Sequence, residues 1–148
     1  MMSVLAEHRR TNRPNMAGWE LRYKIRVDEP IKLLNQLLRM HWAARKRYRK
    51  DWAYLIRQAF GPPPTTPLFY SRVHLTRGNV PPRPDPDGLI GGAKEILDCL
   101  SSPRLRNQVG LGFILDDAPA YLLSFTADSV ITKRGEGFTE IEIWAPRK

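Results

Sequence analysis

The sequence predicts a single α+β domain in which a mixed four-stranded sheet is flanked by two helices, in the order β-α-β-α-β-β. Several segments have apolar residues at every second position, which is typical of strands with one covered face. Between them lie two segments whose apolar residues recur every three or four positions, as in amphipathic helices. A chain of 148 residues with 42% hydrophobic content suits one domain with one modest core.

The first half contains one predicted strand and one long predicted helix. In Glu20–Val27 apolar and charged residues alternate, which indicates a strand. A short apolar segment, Ile31–Leu38, precedes the helix predicted over His41–Phe60, and Gly61–Pro64 ends that helix. The predicted buried stripe of the helix consists of Tyr48, Trp52, Leu55, Ile56 and Ala59.

The second half contains three predicted strands and the second helix. Leu68–Thr76 is a predicted strand that Arg77-Gly78 ends, and a proline-rich loop leads to a helix predicted over Pro86–Leu100. Tyr121–Ala127 and Gly137–Trp144 are the last two predicted strands, with a basic turn at Lys133–Gly135 between them.

The ends of the chain and its cysteine content bear on its location. Residues 1–18 are polar and basic without periodicity and are expected to form a disordered arm, with one domain over residues 19–148. Cys99, which is the single cysteine, lies in an apolar run and is predicted to be a core residue. The sequence has no apolar stretch of membrane-spanning length and no signal-peptide pattern at its start. We therefore expect a cytoplasmic protein with no membrane partner.

The net charge of +9 and the pI of about 10.1 favour an anionic partner, most commonly a nucleic acid. Between residues 39 and 50 the chain carries many cations and no acid. On a helix, Lys46, Lys50 and Arg57 form roughly one stripe, which Arg39 joins if the helix begins early enough. A stripe of this kind can simply be solvated, or it can hold phosphates. The predicted DNA-contacting residues are Arg39, Arg45, Lys46, Arg49, Lys50, Arg57 and Arg83, with Arg104 and Arg106 as further candidates.

Two carboxylates stand together before the second helix. Pro84 and Pro86 stiffen the segment that holds Asp85 and Asp87, and in an extended chain residues two apart point the same way. The pair can therefore converge on a hard cation such as Mg²⁺ or Mn²⁺. It also suits a helix start, with Asp85 as N-cap and Asp87 at the positive end of the helix dipole.

Further charged groups follow at informative spacings. Lys94 comes seven residues after Asp87 and so lies on the same helical face, where it can serve a phosphate or pair with Asp98. The pair Asp116-Asp117 is either a solvated turn or a source of a third carboxylate. Gly91-Gly92 is costly in mid-helix, which indicates the close approach of another backbone or of DNA. His74 has no recognisable partner pattern.

These motifs together resemble the RusA family of crossover-junction endodeoxyribonucleases. The family pattern has an Asp-x-Asp-Asn-Leu motif at the head of a helix, a lysine along that helix and a later Asp-Asp pair. Here Asp85–Leu89, Lys94, Asp98 and Leu115–Ala118 follow this order, and Asn35–Trp42 is similar to the region after the family's first strand. The resemblance runs from about Trp19 to Trp144. Gly88 replaces the usual asparagine, and some members have the lysine four residues after the second aspartate.

The resemblance implies a Mg²⁺-dependent nuclease, with Mn²⁺ as a substitute, that leaves 5′-phosphate ends. Asp85, Asp87 and Asp117 would be the metal-binding catalytic carboxylates, Asp116 a supporting metal ligand and Lys94 the catalytic lysine. The substrate would be four-way (Holliday) junctions in DNA recombination and repair, in a bacterial or phage-infected cell. The alternatives are a nuclease for other branched DNA and a branched-DNA-binding relative that does not cut.

A homodimer is expected as well, both from the resemblance and because resolution requires two symmetric cuts. A two-fold dimer supplies two sites related by the required axis. Because residues 85 to 117 form one compact stretch of sequence, we expect each active site to be complete within one chain.

Overall fold

The computed structural model describes residues 13–148, and it confirms a mixed four-stranded sheet with helices. The strands are β1 (Trp19–Val27), β2 (Ser71–Asn79), β3 (Leu122–Ile131) and β4 (Phe138–Pro146), and the helices are α1 (Leu34–Leu38), α2 (Trp42–Phe60) and α3 (Pro86–Leu100). The predicted order therefore holds, and the apolar segment before α2 adds the short helix α1.

The strand order in the sheet is β1-β4-β2-β3. β4 pairs antiparallel with β1 on one side and with β2 on the other, whereas β2 and β3 run parallel. Parallel neighbours need a crossover connection, and α3 is the helix of that crossover. The start of α3 therefore lies beyond the end of β2, and its end leads back toward the start of β3.

One face of the sheet carries the hydrophobic core and the helices. Alternate residues of the central strands, such as Val73, Leu75, Ile141 and Ile143, are fully buried against α2 and α3. Cys99 is buried in this core as predicted, and burial raises the pKa of its thiol to about 12. The thiol is therefore unreactive at neutral pH.

Several predicted boundaries are wrong by a few residues. β2 begins three residues later than predicted and continues through Arg77 and Gly78 to Asn79, because both residues pair with β3 and β4. β3 continues to Ile131 for the same reason, through its ladder with β2. In α2, Ala53 is buried and the predicted Ala59 is exposed, because Phe60 is the residue of the last turn that packs against Tyr23 and Phe113.

The glycine pair of α3 lies where another segment of the chain crosses the helix. A Cβ on Gly92 would collide with the backbone carbonyl of Lys32, and one on Gly91 would lie 2.8 Å from the Leu34 side chain. The close backbone approach predicted from Gly91-Gly92 is thus confirmed, and the approaching backbone is the segment before α1.

Residues 1–12 of the predicted arm lie outside the described residues. Within the described part, Arg13 forms an ion pair with Glu142 at 3.0 Å. The helices within residues 13–148 lack the combination of length and apolar character that a membrane span requires.

Candidate active site and basic surface

The first acidic pair lies at the N-terminal end of α3. Asp85 is the N-cap, and its Oδ2 accepts a hydrogen bond from the Gly88 N–H at 2.9 Å. Pro86 and Asp87 occupy the first turn. Proline suits this position because the first N–H groups of a helix have no partner within the helix, and the positive end of the helix dipole stabilises the Asp87 carboxylate. The predicted helix start is confirmed. Asp87 lies inside the helix, so the expected convergence of two carboxylates along an extended chain does not describe this segment.

Gly88 has a local structural reason. A Cβ at this position would lie 2.8 Å from Oδ1 of Asp85. A larger residue would therefore push the Asp85 carboxylate away from its cap position. In this chain glycine lets Asp85 fold onto the helix end, where one of its oxygens is already engaged.

Arg83 is attached to the end of β3. Its Nη1 donates to the Ser129 carbonyl at 2.7 Å, while the residue as a whole stays exposed. The contact fixes the loop before α3 against the sheet. The predicted phosphate contact would have to use the guanidinium N–H groups that this bond leaves unused.

The second acidic pair lies near the opposite end of α3. Arg104, just beyond the helix, contacts Asp116 at 3.1 Å and Asp117 at 3.5 Å. The Asp117 N–H also donates to Asp116 Oδ1 at 2.7 Å. Desolvation is the largest single influence and raises the pKa of Asp116, but the hydrogen bonds with Asp117 and the charge and hydrogen bond of Arg104 together outweigh it, so the pKa is lowered. Asp116 is therefore firmly ionised and holds Asp117 and Arg104 together.

The two acidic pairs do not meet within one chain. Helix α3 has 15 residues, and a helix of that length is about 22 Å long. No group of three or more His, Cys, Asp or Glu side chains in residues 13–148 is placed to hold a metal ion. The expectation that one chain contains a complete site is wrong for this arrangement, because the helix separates groups that are close in sequence.

Lys94 lies midway along α3 and is exposed. Its alternative partner, Asp98, instead contacts Arg49 at 3.5 Å, and no ion pair of Lys94 is found within the described range. Burial is the main cause of the raised pKa of Asp98, which the nearby Arg49 partly offsets. The Lys94 ammonium is therefore available on the face of α3 that also carries Asp87.

Two of the predicted DNA-contacting arginines, Arg45 and Arg49, form ion pairs with a buried glutamate. Glu95, only 5% exposed, receives Arg45 at 2.7 Å on one carboxylate oxygen and Arg49 at 2.9 Å on the other. These pairs connect α2 to α3. The sequence offered one signal for them: Glu95 stands between the apolar Ala93 and Ile96 on the buried side of its helix.

The other predicted cations remain on the surface. Arg39, Lys46, Lys50 and Arg57 are all exposed. Lys46 and Lys50 line a groove of about 200 Å³ together with Arg106 from the loop after α3. His41 caps α2, because its Nδ1 accepts from the Ala43 N–H at 3.2 Å. Lys46, Lys50 and Arg57 thus lie along α2, and the first two reach the same end of α3 as the second acidic pair.

Sequence reasoning missed the surroundings of His74 on the other face of the sheet. The ring is 1% exposed; its Nδ1 lies 2.6 Å from Thr126 Oγ1 and its Nε2 lies 3.7 Å from Asp128. Burial lowers the pKa of His74. The alternating polar residues of β2 and β3 indicate a polar face of the sheet, but only the parallel register aligns His74 with Thr126.

No protein-family model matches the chain, and no curated protein matches it. The residues themselves define a basic α+β domain. One carboxylate pair lies at the start of α3, the other lies near its end, and the exposed Lys94 lies between them on the helix.

Proposed function

We propose that the chain is a Mg²⁺-dependent, structure-specific endodeoxyribonuclease that acts as a homodimer on four-way DNA junctions and leaves 5′-phosphate ends. One observation carries the proposal. Helix α3 bears exposed Asp87 and Lys94 on one face and ends beside Asp116-Asp117, and exposed cations of α2 lie next to that end. A carboxylate and an ammonium on one helical face suit phosphodiester hydrolysis, and the cations suit a phosphate backbone.

The separation of the two acidic pairs is the reason for a dimer with shared sites. A two-fold axis perpendicular to α3 would place two copies of the helix antiparallel, with the start of each beside the end of the other. The Asp85 and Asp87 carboxylates of one chain would then face Asp117 of the partner subunit. Both composite sites would be equivalent, as paired symmetric cuts require.

Within such a site each residue has a distinct part. Asp85 and Asp87, with the partner subunit's Asp117, would hold Mg²⁺, which when bound polarises the phosphate and activates water. Lys94 would neutralise charge on the phosphoryl oxygens. Asp116 would fix the backbone of Asp117 through the hydrogen bond that it accepts from the Asp117 N–H. Arg83 would contact the phosphate beside the cut.

A branched-DNA-binding protein that does not cut is the second candidate. It is favoured by the engagement of Asp85 as the cap of α3, which Gly88 permits. In that case the basic groove would still bind DNA, and Asp85 would serve only the helix. A nuclease for other branched DNA shares all the site residues and differs only in substrate.

The test is a complementation experiment on a labelled four-way junction, with and without Mg²⁺. Asp87→Asn and Asp117→Asn should each lose cleavage but keep binding, since neither removes a positive charge. A mixed dimer of the two variants should regain nicking, because one of its two composite sites is intact. Asp28→Asn, an exposed aspartate at the end of β1, is the control.

Three outcomes would contradict parts of the proposal. Cleavage by either variant at the wild-type rate would remove that residue from the site. Inactive mixed dimers would argue against sites shared between chains. Junction binding by the wild type without Mg²⁺-dependent nicking would support the non-cleaving candidate. A panel of flaps and three-way junctions would show whether four-way junctions are preferred.

A further inference from the structure

Leu105 is the most exposed large apolar residue of residues 13–148, with 90% of its surface accessible. It lies in the loop after α3, between Arg104 and Arg106. A single exposed leucine is ordinary on a protein surface. The features that distinguish this one are the rigidity of its turn and the cations on both sides.

The turn that carries Leu105 is fixed by hydrogen bonds at its base. Arg104 and Asn107 exchange two backbone hydrogen bonds, each 2.9 Å long. The Asn107 side chain is buried and donates to the Asp98 carbonyl in α3 at 2.7 Å. Arg104 is also held by Asp116 at 3.1 Å. Leu105 is therefore presented in a fixed position, and binding a partner would require little additional ordering of the backbone.

Two clefts meet at Leu105. On one side Arg106 faces Lys46 and Lys50 across the groove of about 200 Å³. On the other side Arg104, Arg49 and Asp98 line a second cleft. A protein partner would need a broader apolar patch than one leucine supplies. An apolar tip flanked by cations instead matches a nucleic acid, whose phosphates run on both sides of its stacked bases.

We propose that Leu105 is a wedge that inserts into the base stack where the strands of branched DNA diverge, while Arg106, Lys46 and Lys50 hold the adjoining phosphates. This inference rests on the proposed function and names how the branch is recognised. Inserted apolar side chains unstack base steps, which costs free energy. That cost is smallest where stacking is already interrupted, so a wedge favours a branch point over continuous duplex.

The experiment uses a four-way junction with 2-aminopurine at the branch point, whose fluorescence rises when the base unstacks. The protein is tested without a divalent metal ion, so that no cleavage intervenes. Binding of the wild type should raise the signal, and Leu105→Ala should lose most of the rise. Affinity of Leu105→Ala for the junction should fall about tenfold, with little change on linear duplex.

Two further variants sharpen the comparison. Leu105→Met keeps an apolar tip and should retain the fluorescence rise. Leu21→Ala removes an exposed leucine from the edge strand β1, outside both clefts, and should behave as wild type. Because Leu105 makes no core contact, the melting temperature of Leu105→Ala should equal that of the wild type, so loss of binding cannot come from unfolding.

The outcomes separate this inference from the proposed function. If wild type binds the junction but Leu105→Ala gives the same fluorescence and the same preference over duplex, the wedge is refuted and the nuclease proposal stands. Equal weakening on junction and duplex would likewise refute a branch-specific role. A wild-type protein that binds no DNA would overturn both.

Discussion

Arg49 donates from Nε to a carboxylate oxygen of the buried Glu95 at 2.9 Å, and this bond connects the two long helices. Arg45 occupies the other oxygen, so both oxygens of the carboxylate are satisfied. Two residues expected to contact DNA thereby hold together the scaffold on which the acidic pairs and the basic groove are built.

The first prediction concerns the stability that Glu95 contributes. Glu95→Ala removes the acceptor of two charged hydrogen bonds and should lower the free energy of unfolding by about 2 kcal/mol, since its arginines are only partly buried. Urea denaturation measures the change. Glu20→Ala removes an exposed carboxylate paired with Arg22 and should change stability by less than about 0.5 kcal/mol. Equal effects of both changes would show that the Glu95 pairs stabilise the protein no more than an exposed ion pair does.

The second prediction concerns the crossing of α3 by the chain before α1. Gly92→Ala should destabilise the protein by about 3 kcal/mol, despite the higher helix propensity of alanine, because its Cβ meets the rigid Lys32 carbonyl. Gly91→Ala should cost less, because it meets only the movable Leu34 side chain. Melting curves of the two variants give the comparison, and the reverse order would contradict the packing described.

The third prediction concerns the basic groove. The double variant Lys46→Ala with Lys50→Ala should weaken binding to all DNA shapes alike. It should lower the slope of log affinity against log salt concentration by about one unit per lost phosphate contact. Lys133→Ala with Arg134→Ala removes the same charge from the exposed β3–β4 turn and is the control. If both double variants lower the slope equally, only net charge matters and the groove is not a DNA site.

The fourth prediction concerns Lys94. Lys94→Met should slow junction cleavage at least about a hundredfold with little change in affinity, since a charge that acts on the transition state is often worth that much. Its exposure means that folding should be unaffected. Single-turnover cleavage at saturating protein separates rate from binding. Activity that recovers fully at high protein concentration would make Lys94 a binding residue.

The fifth prediction concerns acid stability. Burial lowers the pKa of His74 below its ordinary value of 6.5, with Arg13 adding to the effect and Asp128, Glu142 and Glu140 opposing it. The unfolded chain therefore takes up this proton first as the pH falls, and stability should decline from about pH 6.5 downward. His74→Gln should flatten this decline in melting temperature between pH 7.5 and pH 5. If the melting temperature of His74→Gln declines with falling pH as much as that of the wild type, other groups cause the decline.

Local sequence determined most of the secondary structure. The bounds of α3 were predictable because Asp85-Pro86 supplies a cap and a first helical residue, and the Ser101-Ser102-Pro103 segment cannot continue the helix. The alternation in β1 and the stripe of Tyr48, Trp52 and Ile56 in α2 reflect burial on one face, which the residue order records directly.

Tertiary structure alone decided which of the charged groups meet. The apolar neighbours of Glu95 indicated that it is buried, but residue spacing could not show that its partners would be Arg45 and Arg49, from a helix some 50 positions away. Nor could it show that β4 inserts between β1 and β2, because strand order depends on long-range pairing. The 30 positions from Asp87 to Asp117 look compact in sequence, yet a rigid helix runs between them. Distance along a helix grows with every residue, so a single chain holds its two acidic pairs apart.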